Sequence, residues 1–489
     1  MAIVTGNRPV LWVMFDTIAT SLVSIGSMLV IARLAGPSEF VTAALIVGAV
    51  MFANINVEVL FHDALIQNRD VTEIDFDHAI SIVLTIALGI VALVAIVALL
   101  LFNGPYSRIG WLSITASFYL LFSGPNGVAN ARQRKKMEYR HVARASVIGR
   151  ALGCATGIIV ALEGHGTLGL ILQNTAGAFA QSVILFSTTR WRPRLRFSLD
   201  GKLRHLLRYA LPNALMNSLV SARIQAFSFL VASFSGLTTA GYINIAFRLT
   251  TTPQLILITA LGNLCFPMIA AHQTSKYAQA QAFQLTTKII SATTLPLFVG
   301  LALISKDLVP LVLGRAWLPA IPLVTILAIA CAVYFSRMSS SLLLRATGTV
   351  RYSVWNAVFQ LSLTIGGLLI FRPTDAFVAI YLWIFPLAIQ VPITLLIMRR
   401  LAGIGIFDQL KGLIPSMCAT GCMGAAILLI KLGTLAWSPL SRLCLSLAVG
   451  GAVFVLVILK LDRQLRDFAF RKNTLVEPSA QETVDVVEM

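Results

Sequence analysis

The sequence predicts an all-α polytopic membrane protein. Three observations carry that expectation: long apolar stretches, cations confined to alternate gaps between them, and a self-similarity at an offset of about 200 residues. Of the 489 residues, 57% are hydrophobic and 12% charged. The mean hydropathy of +0.84 lies well outside the range of water-soluble domains. A formal net charge of +18 raises nucleic acid as a partner. A nucleic-acid surface needs its cations on one solvated face, however, and here they sit in short gaps between apolar runs, so no nucleic-acid partner is expected.

A spanning helix needs about 20 apolar residues, and about fourteen stretches reach that length. Their cores are 10–32, 40–60, 79–102, 111–130, 144–162, 167–188, 209–233, 240–265, 287–305, 321–343, 353–371, 375–398, 412–432 and 440–461. The first, Val10 to Ile31, ends without a small-residue cleavage motif and is expected to stay as a membrane helix. Nothing between the stretches is large enough for a soluble domain. Residues 466–489, polar and acidic beyond Asn473, are expected to form a disordered tail.

Orientation follows from the cations. The gap from Arg132 to Arg144 and the gap from Arg190 to Arg208 are strongly basic, and each follows an even-numbered stretch. Roughly 27 cations fall on that side and about 7 on the other, so both termini are expected in the cytoplasm. The same basic runs could hold anionic lipid headgroups or a lipid-linked phosphate; their reading as topology determinants is the stronger one.

The repeat aligns Ile31-Ala-Arg-Leu-Ala-Gly-Pro-Ser-Glu-Phe-Val41 with Val231-Ala-Ser-Phe-Ser-Gly-Leu-Thr-Thr-Ala-Gly241, which sets Gly36 over Gly236. A weaker echo sets Arg132 and Tyr139 beside Arg345 and Tyr352. An even number of helices separates the copies, so both run in the same direction. The expected organisation is a lobe of six helices over residues 1–208, a parallel lobe of six over 209–400, and two further helices over 401–465, with substrate in a central cavity between the lobes.

Several local patterns have bland readings. Gly164-His-Gly-Thr-Leu-Gly169 matches a dinucleotide fingerprint, but it falls in the tight turn between helices five and six, without the strand that such a site needs. No GxxxxGK[ST] run occurs, so ATP hydrolysis is not expected, nor is any cofactor. Gly149, Gly153 and Gly157, spaced by four, are expected to let a neighbouring helix approach closely. Six cysteines lie within apolar segments, with no histidine pattern to complete a metal site. Pro212, Pro253, Pro296, Pro322, Pro386 and Pro392 interrupt helices and permit bends.

The charges inside the stretches say more, because an ionisable group in a bilayer normally faces a cavity or a partner. They are Asp16 in helix one, Glu58 near the end of helix two, Arg150 in five, Arg223 in seven, Arg248 in eight and Arg337 in ten. Arg150 is close enough to the basic loop to snorkel. Arg223, Arg248 and Arg337 lie deeper and are the candidate substrate-binding cations, since guanidiniums bind phosphate or carboxylate through charge-assisted forks. The alternative pairs each privately with Asp16, Glu58 or a backbone carbonyl. Asp16 and Glu58 are candidates for ion coupling. No catalytic residue is assigned.

Ala32-Arg-Leu-Ala-Gly-Pro-Ser-Glu-Phe40 resembles the run that follows the first helix of Wzx-type oligosaccharide flippases, within the multidrug/oligosaccharidyl-lipid/polysaccharide (MOP) superfamily. Ala64-Leu-Ile-Gln-Asn-Arg-Asp70, Gly241-Tyr-Ile-Asn-Ile-Ala-Phe-Arg-Leu249, Leu308-Val-Pro-Leu-Val-Leu-Gly-Arg-Ala-Trp-Leu-Pro319 and Leu344-Arg-Ala-Thr-Gly348 resemble the same family. Two departures, Val41 in place of the usual glycine and one residue more before Gly36, imply a first loop of different shape. The resemblance implies a non-enzymatic flippase that moves undecaprenyl-pyrophosphate-linked oligosaccharide repeat units for exopolysaccharide, O-antigen or capsule synthesis. Its implied partners are the lipid-linked substrate and membrane lipids, and it admits a polymerase or co-polymerase of the same pathway. Two other readings compete. An ion-coupled drug or metabolite exporter of the MATE type usually has about twelve helices and favours buried acids over buried arginines. A membrane-embedded glycan polymerase or transferase needs catalytic carboxylates and a larger outer loop than Lys306 to Ala320.

Overall fold

The computed structural model describes residues 8–55, 57–58, 61, 65–66, 71–100, 104, 107–189, 191–195, 201–270, 276–346, 350–401, 403–434 and 437–470. Among these residues the regular structure is helical throughout: α1 (Arg8–Ile55), α2 (Glu73–Leu100), α3 (Ser107–Ser117), α4 (Tyr119–Lys135), α5 (Tyr139–Leu162), α6 (Gly166–Thr189), α7 (Gly201–Ser235), α8 (Leu237–Ala270), α9 (Lys276–Val312), a 3-10 turn (Arg315–Trp317), α10 (Ala320–Ser336), α11 (Met338–Ala346), α12 (Val350–Phe371), α13 (Ala376–Leu401), α14 (Ile406–Lys411), α15 (Ile414–Gly433), α16 (Pro439–Leu461) and α17 (Arg463–Phe470). Eleven helical stretches are long and apolar enough to cross a membrane, and Trp355–Phe371 is a shorter apolar one.

The fourteen apolar stretches map onto this order with local differences. Continuous helix runs through the first two stretches as α1, but Gly36 breaks its geometry at φ 74° and ψ 172°, and Pro37 follows. A residue with a side chain resists that positive φ, and proline supplies no amide to the preceding turn, so two crossings meet at this bend. Gly236 does the same between α7 and α8, at φ 84°. The two glycines that the repeat aligns thus share a left-handed conformation. The extra residue before the first bend, Ala35, packs against Gly166, where an added Cβ would lie 2.3 Å from the alanine methyl, and Val41 is fully buried.

Stretch four is two helices, α3 and α4, parted at Phe118, and stretch ten is α10 and α11, parted at Arg337. Residues 306–312, read from sequence as part of an outer loop, are the last turns of α9, because their apolar periodicity outweighs Lys306 and Asp307. Residues 463–470 form α17, so the first part of the expected tail is helical, while 471–489 lie outside the described residues. The side chains of Arg345 and Tyr352, and residues 67–70, also lie outside them.

The chain divides into two compact units, one of Met1–Ala260, Ser305–Cys331 and Gly348–Pro392, the other of Leu261–Ile304, Ala332–Thr347 and Ile393–Met489. In the first unit, Phe61, Phe76, Leu120, Ile171 and Leu185 pack with Trp191 in a continuous apolar core. Helices α5 and α6 meet through glycine. A Cβ on Gly153 would lie 2.3 Å from the Gln173 carbonyl and 2.7 Å from the Gly177 Cα, and one on Gly157 would lie 2.8 Å from the Gly169 carbonyl. Without a solvent-driven hydrophobic effect between membrane helices, such close backbone approach is a main source of packing energy. In the second unit, Ser291 on α9 donates to Ser416 on α15 at 2.9 Å, and Phe298 stacks on Phe335. Lys288 pairs there with the buried Asp462 at 2.7 Å, and that carboxylate also caps α17 by accepting from the Gln464 amide. Large apolar side chains such as Leu93, Leu99, Leu429 and Leu432 point outward, as lipid contact requires.

Candidate functional site

The two deep arginines of the first unit stand on adjacent helices and have opposite environments. On α7, Arg223 is half-buried. Its Nε donates to Thr364 Oγ1 at 3.0 Å, Nη2 to the Trp383 carbonyl at 2.9 Å and Nη1 to Gln360 Oε1, while its guanidinium carbon lies 3.9 Å from the Trp383 ring centre. Pro386, three residues on in the same helix, has no amide for the neighbouring Leu382 carbonyl. Phe227, Phe247 and Trp383 close the site with ring centres 4.8–5.5 Å apart.

One residue beyond Phe247, Arg248 points about 100° away around the helix, off that cluster. It is exposed although α8 is one of the membrane-length helices. Among the described residues its guanidinium makes no hydrogen bond and no ion pair. Asn244, one turn earlier, holds its Oδ1 buried without a hydrogen-bond partner. A guanidinium in this state can accept a bidentate anion without first breaking a protein contact.

Arg337 belongs to the second unit, at the break between α10 and α11, and engages Thr394 Oγ1 at 3.5 Å and the face of Tyr334 at 5.8 Å.

The structure gathers Asp16 with groups that the sequence reading had not joined to it. Its carboxylate lies close to Ser146 and near the charges of Arg134 and Arg150. One oxygen, Oδ1, and the Arg134 Nε are buried without hydrogen-bond partners. Arg150 reaches Asn174 Oδ1 at 3.5 Å, and Gln181 donates to Ser146 at 3.2 Å. Asp16 therefore stands in a polar cluster contributed by α1, α4, α5 and α6. At Glu58, Asn54 Nδ2 donates to Oε2 at 2.7 Å, and Asn54 in turn accepts from Ser123 at 2.6 Å. Sequence reasoning missed these amides and hydroxyls because it sought formal charge; Asn54, Asn126, Asn174 and Gln181 inside apolar stretches were the available signal.

Comparisons with known proteins bear on the family and the fold. A family described as polysaccharide biosynthesis protein matches residues 30–322. The succinoglycan biosynthesis transport protein ExoT of Rhizobium meliloti (strain 1021) is 24% identical over 368 residues, covering 74% of this chain and 73% of that one. The teichuronic acid biosynthesis protein TuaB of Bacillus subtilis (strain 168) is 22% identical over 484 residues, covering 95% of this chain and 97% of its own. Among solved structures, the lipid II flippase MurJ in an inward closed conformation superposes with a TM-score of 0.72 at 14% identity, covering 95% of this chain and all of that one, which shows a shared fold.

Proposed function

The chain belongs to the polysaccharide biosynthesis protein family, and from that premise we propose that it is a flippase for undecaprenyl-pyrophosphate-linked oligosaccharide repeat units in the bacterial inner membrane. Relatives named as a succinoglycan transport protein and a teichuronic acid biosynthesis protein support the substrate class, as does the fold shared with a lipid II flippase. The observation that carries the reading is the Arg248 guanidinium, exposed on a membrane-length helix and without a partner among the described residues. An anionic headgroup cannot cross hydrocarbon unaided, and an unengaged fork gives its pyrophosphate a counter-charge.

In this reading the chain works as two parallel six-helix lobes, 1–208 and 209–400, with helices thirteen and fourteen added. The shared conformation of Gly36 and Gly236 supports that division. Both termini face the cytoplasm, and the chain performs no covalent chemistry of its own. Arg248 is the leading substrate contact and Arg337 the second; Arg223 stands last of the three, because its fork is already taken up by Gln360, Thr364 and the Trp383 carbonyl, and Asp16 and Glu58 serve ion coupling. A polymerase or co-polymerase that takes up the delivered repeat unit is the natural partner. The exporter reading is less supported, because the matched family and relatives are concerned with polysaccharide.

The test is polymer production in a strain lacking the native gene, read beside the amount of each variant in the membrane. Arg248→Lys keeps the charge and loses the fork, so partial activity is expected; Arg248→Ala should lose most activity at normal abundance. Full polymer from a normally inserted Arg248→Ala protein removes Arg248 from the substrate path.

A further inference from the structure

At the bundle end opposite the basic loops, two helix ends cap each other. The first crossing of α1 closes at Gly36, and Pro37 supplies no amide, so carbonyls of its last turn run short of helical donors. In that turn, one residue before the carbonyl that Pro37 leaves without a donor, Trp317 Nε1 donates to the Ala32 carbonyl at 3.1 Å. The reverse bond comes from the next residue of α1. At the end of α9 the Leu313 amide takes the Val309 carbonyl and the Gly314 amide takes that of Pro310. The Leu311 carbonyl, next in line, is met by Arg33 Nη1 at 3.2 Å.

The surroundings make this a fitted joint. Trp317 is fully buried, edge-on to Phe40 at 5.6 Å and to Tyr242 at 6.1 Å. Gly314, at φ 90°, turns the chain sharply enough to bring Trp317 back onto α1. The start of α8 joins in, since a Cβ on Gly241 would lie 2.4 Å from the Pro37 carbonyl. Each participating run, Ala32 to Phe40, Gly241 to Leu249 and Leu308 to Pro319, is one that carries the family resemblance. Substrate binding through Arg248 concerns only the second of these runs, and it accounts for neither of the other two.

We propose that the paired Trp317–Ala32 and Arg33–Leu311 hydrogen bonds form a lock that holds this end of the transporter shut and must part once in every transport cycle. The inference rests on the flippase reading, in that a substrate leaving at this end needs the ends of α1 and α9 to separate. The chemistry suits a reversible joint. Arg33 is exposed, so water can solvate its guanidinium and the Leu311 carbonyl as they part, and the net cost of breaking such bonds is small. Trp317 leaves an apolar socket instead. It therefore supplies the discrete, two-state character that hydrogen bonds alone would lack.

Two measurements test the lock. A cysteine placed at Asn244, one turn from Arg248, reports access from the outer side through labelling by a membrane-impermeant maleimide, in a background with the six native cysteines replaced. Arg33→Gln and Trp317→Phe each delete one bond, and each should raise the labelling rate roughly fivefold, the population shift expected from one net hydrogen bond. Because Arg33 is a surface residue, its variant remains informative even if Trp317→Phe folds poorly. Separately, Arg33→Cys with Leu311→Cys, joined by a reducible bis-thiosulfonate spacer, should stop polymer export, and reduction should restore it. Parent-level labelling in Arg33→Gln, or export that continues through the cross-linked pair, overturns the lock. A parent protein that inserts normally yet restores no polymer counts against the flippase reading instead and leaves the labelling result standing.

Discussion

Arg223 and Arg248 carry the same cation one helix apart, and their surroundings assign them different work. Arg223 spends its fork on Gln360, Thr364 and the Trp383 carbonyl and lies over an indole. Interhelical hydrogen bonds in membranes average about 0.6 kcal/mol, so three of them plus the ring contact are worth about 2–3 kcal/mol. A lysine ammonium cannot serve those acceptors in one plane. Arg223→Lys and Arg223→Met should therefore lower thermal stability in detergent by similar amounts, whereas Arg248→Lys should leave stability near that of the parent. A normal melting temperature for Arg223→Met would show that these bonds hold little together. The sequence placed both arginines in the same class, because charge and depth are visible in a string of residues and the acceptors 137 to 160 positions away are not. At the same scale, Asp16 is flanked by Arg134 and Arg150, and Glu58 accepts a hydrogen bond from Asn54. If a carboxylate couples transport to protons, Asp16→Asn or Glu58→Gln should flatten the pH dependence of export while the protein still inserts. Normal transport with unchanged pH dependence in both variants ends the coupling idea.

Among the helices, the clearest case is the α5–α6 pair. Spacing by four along α5 was enough to predict a close neighbour, because one residue per turn points the same way. The identity of that neighbour was not readable: Gly153 meets Gln173 and Gly177, and Gly157 meets Gly169, all on the helix reached through the Gly164 turn. The obstruction at Gly153 is backbone, which cannot swing aside as a flexible side chain can. Gly153→Leu should accordingly force the pair apart at a cost of several kcal/mol and reduce the amount of protein in the membrane sharply. Gly421 on α15 is the control. A Cβ there meets nothing within 4 Å, and Gly421→Leu should accumulate like the parent. Equal abundance of the two variants would refute the packing account. The breaks at Phe118 and Arg337 were hidden for the opposite reason, since apolar content continues across them and hydropathy does not register a turn.

For the molecule as a whole, composition and cation placement were sufficient for the class and for about fourteen crossings, because a bilayer imposes length and polarity on every span regardless of partner. What they could not supply was which polar groups meet, since contacts such as Trp317 with Ala32 join residues 285 positions apart. Orientation is the remaining whole-molecule property, and it rests on the asymmetry of roughly 27 cations against about 7, which opposes the outward transfer of basic segments. Arg132 and Lys136 illustrate how firmly one such segment is built, since both pair with Glu73 while Arg132 also lies over Trp191. A reporter active only in the periplasm should stay dark when fused after Lys472, beyond α17. The same reporter fused after Gly164, in the turn between α5 and α6, should be bright. The two positions are separated by an odd number of crossings in a fourteen-span chain, so opposite signals are required whatever the absolute orientation. Equal signals would break the helix count, and the reverse pattern would keep the count and invert the protein, placing the Trp317 lock on the cytoplasmic side.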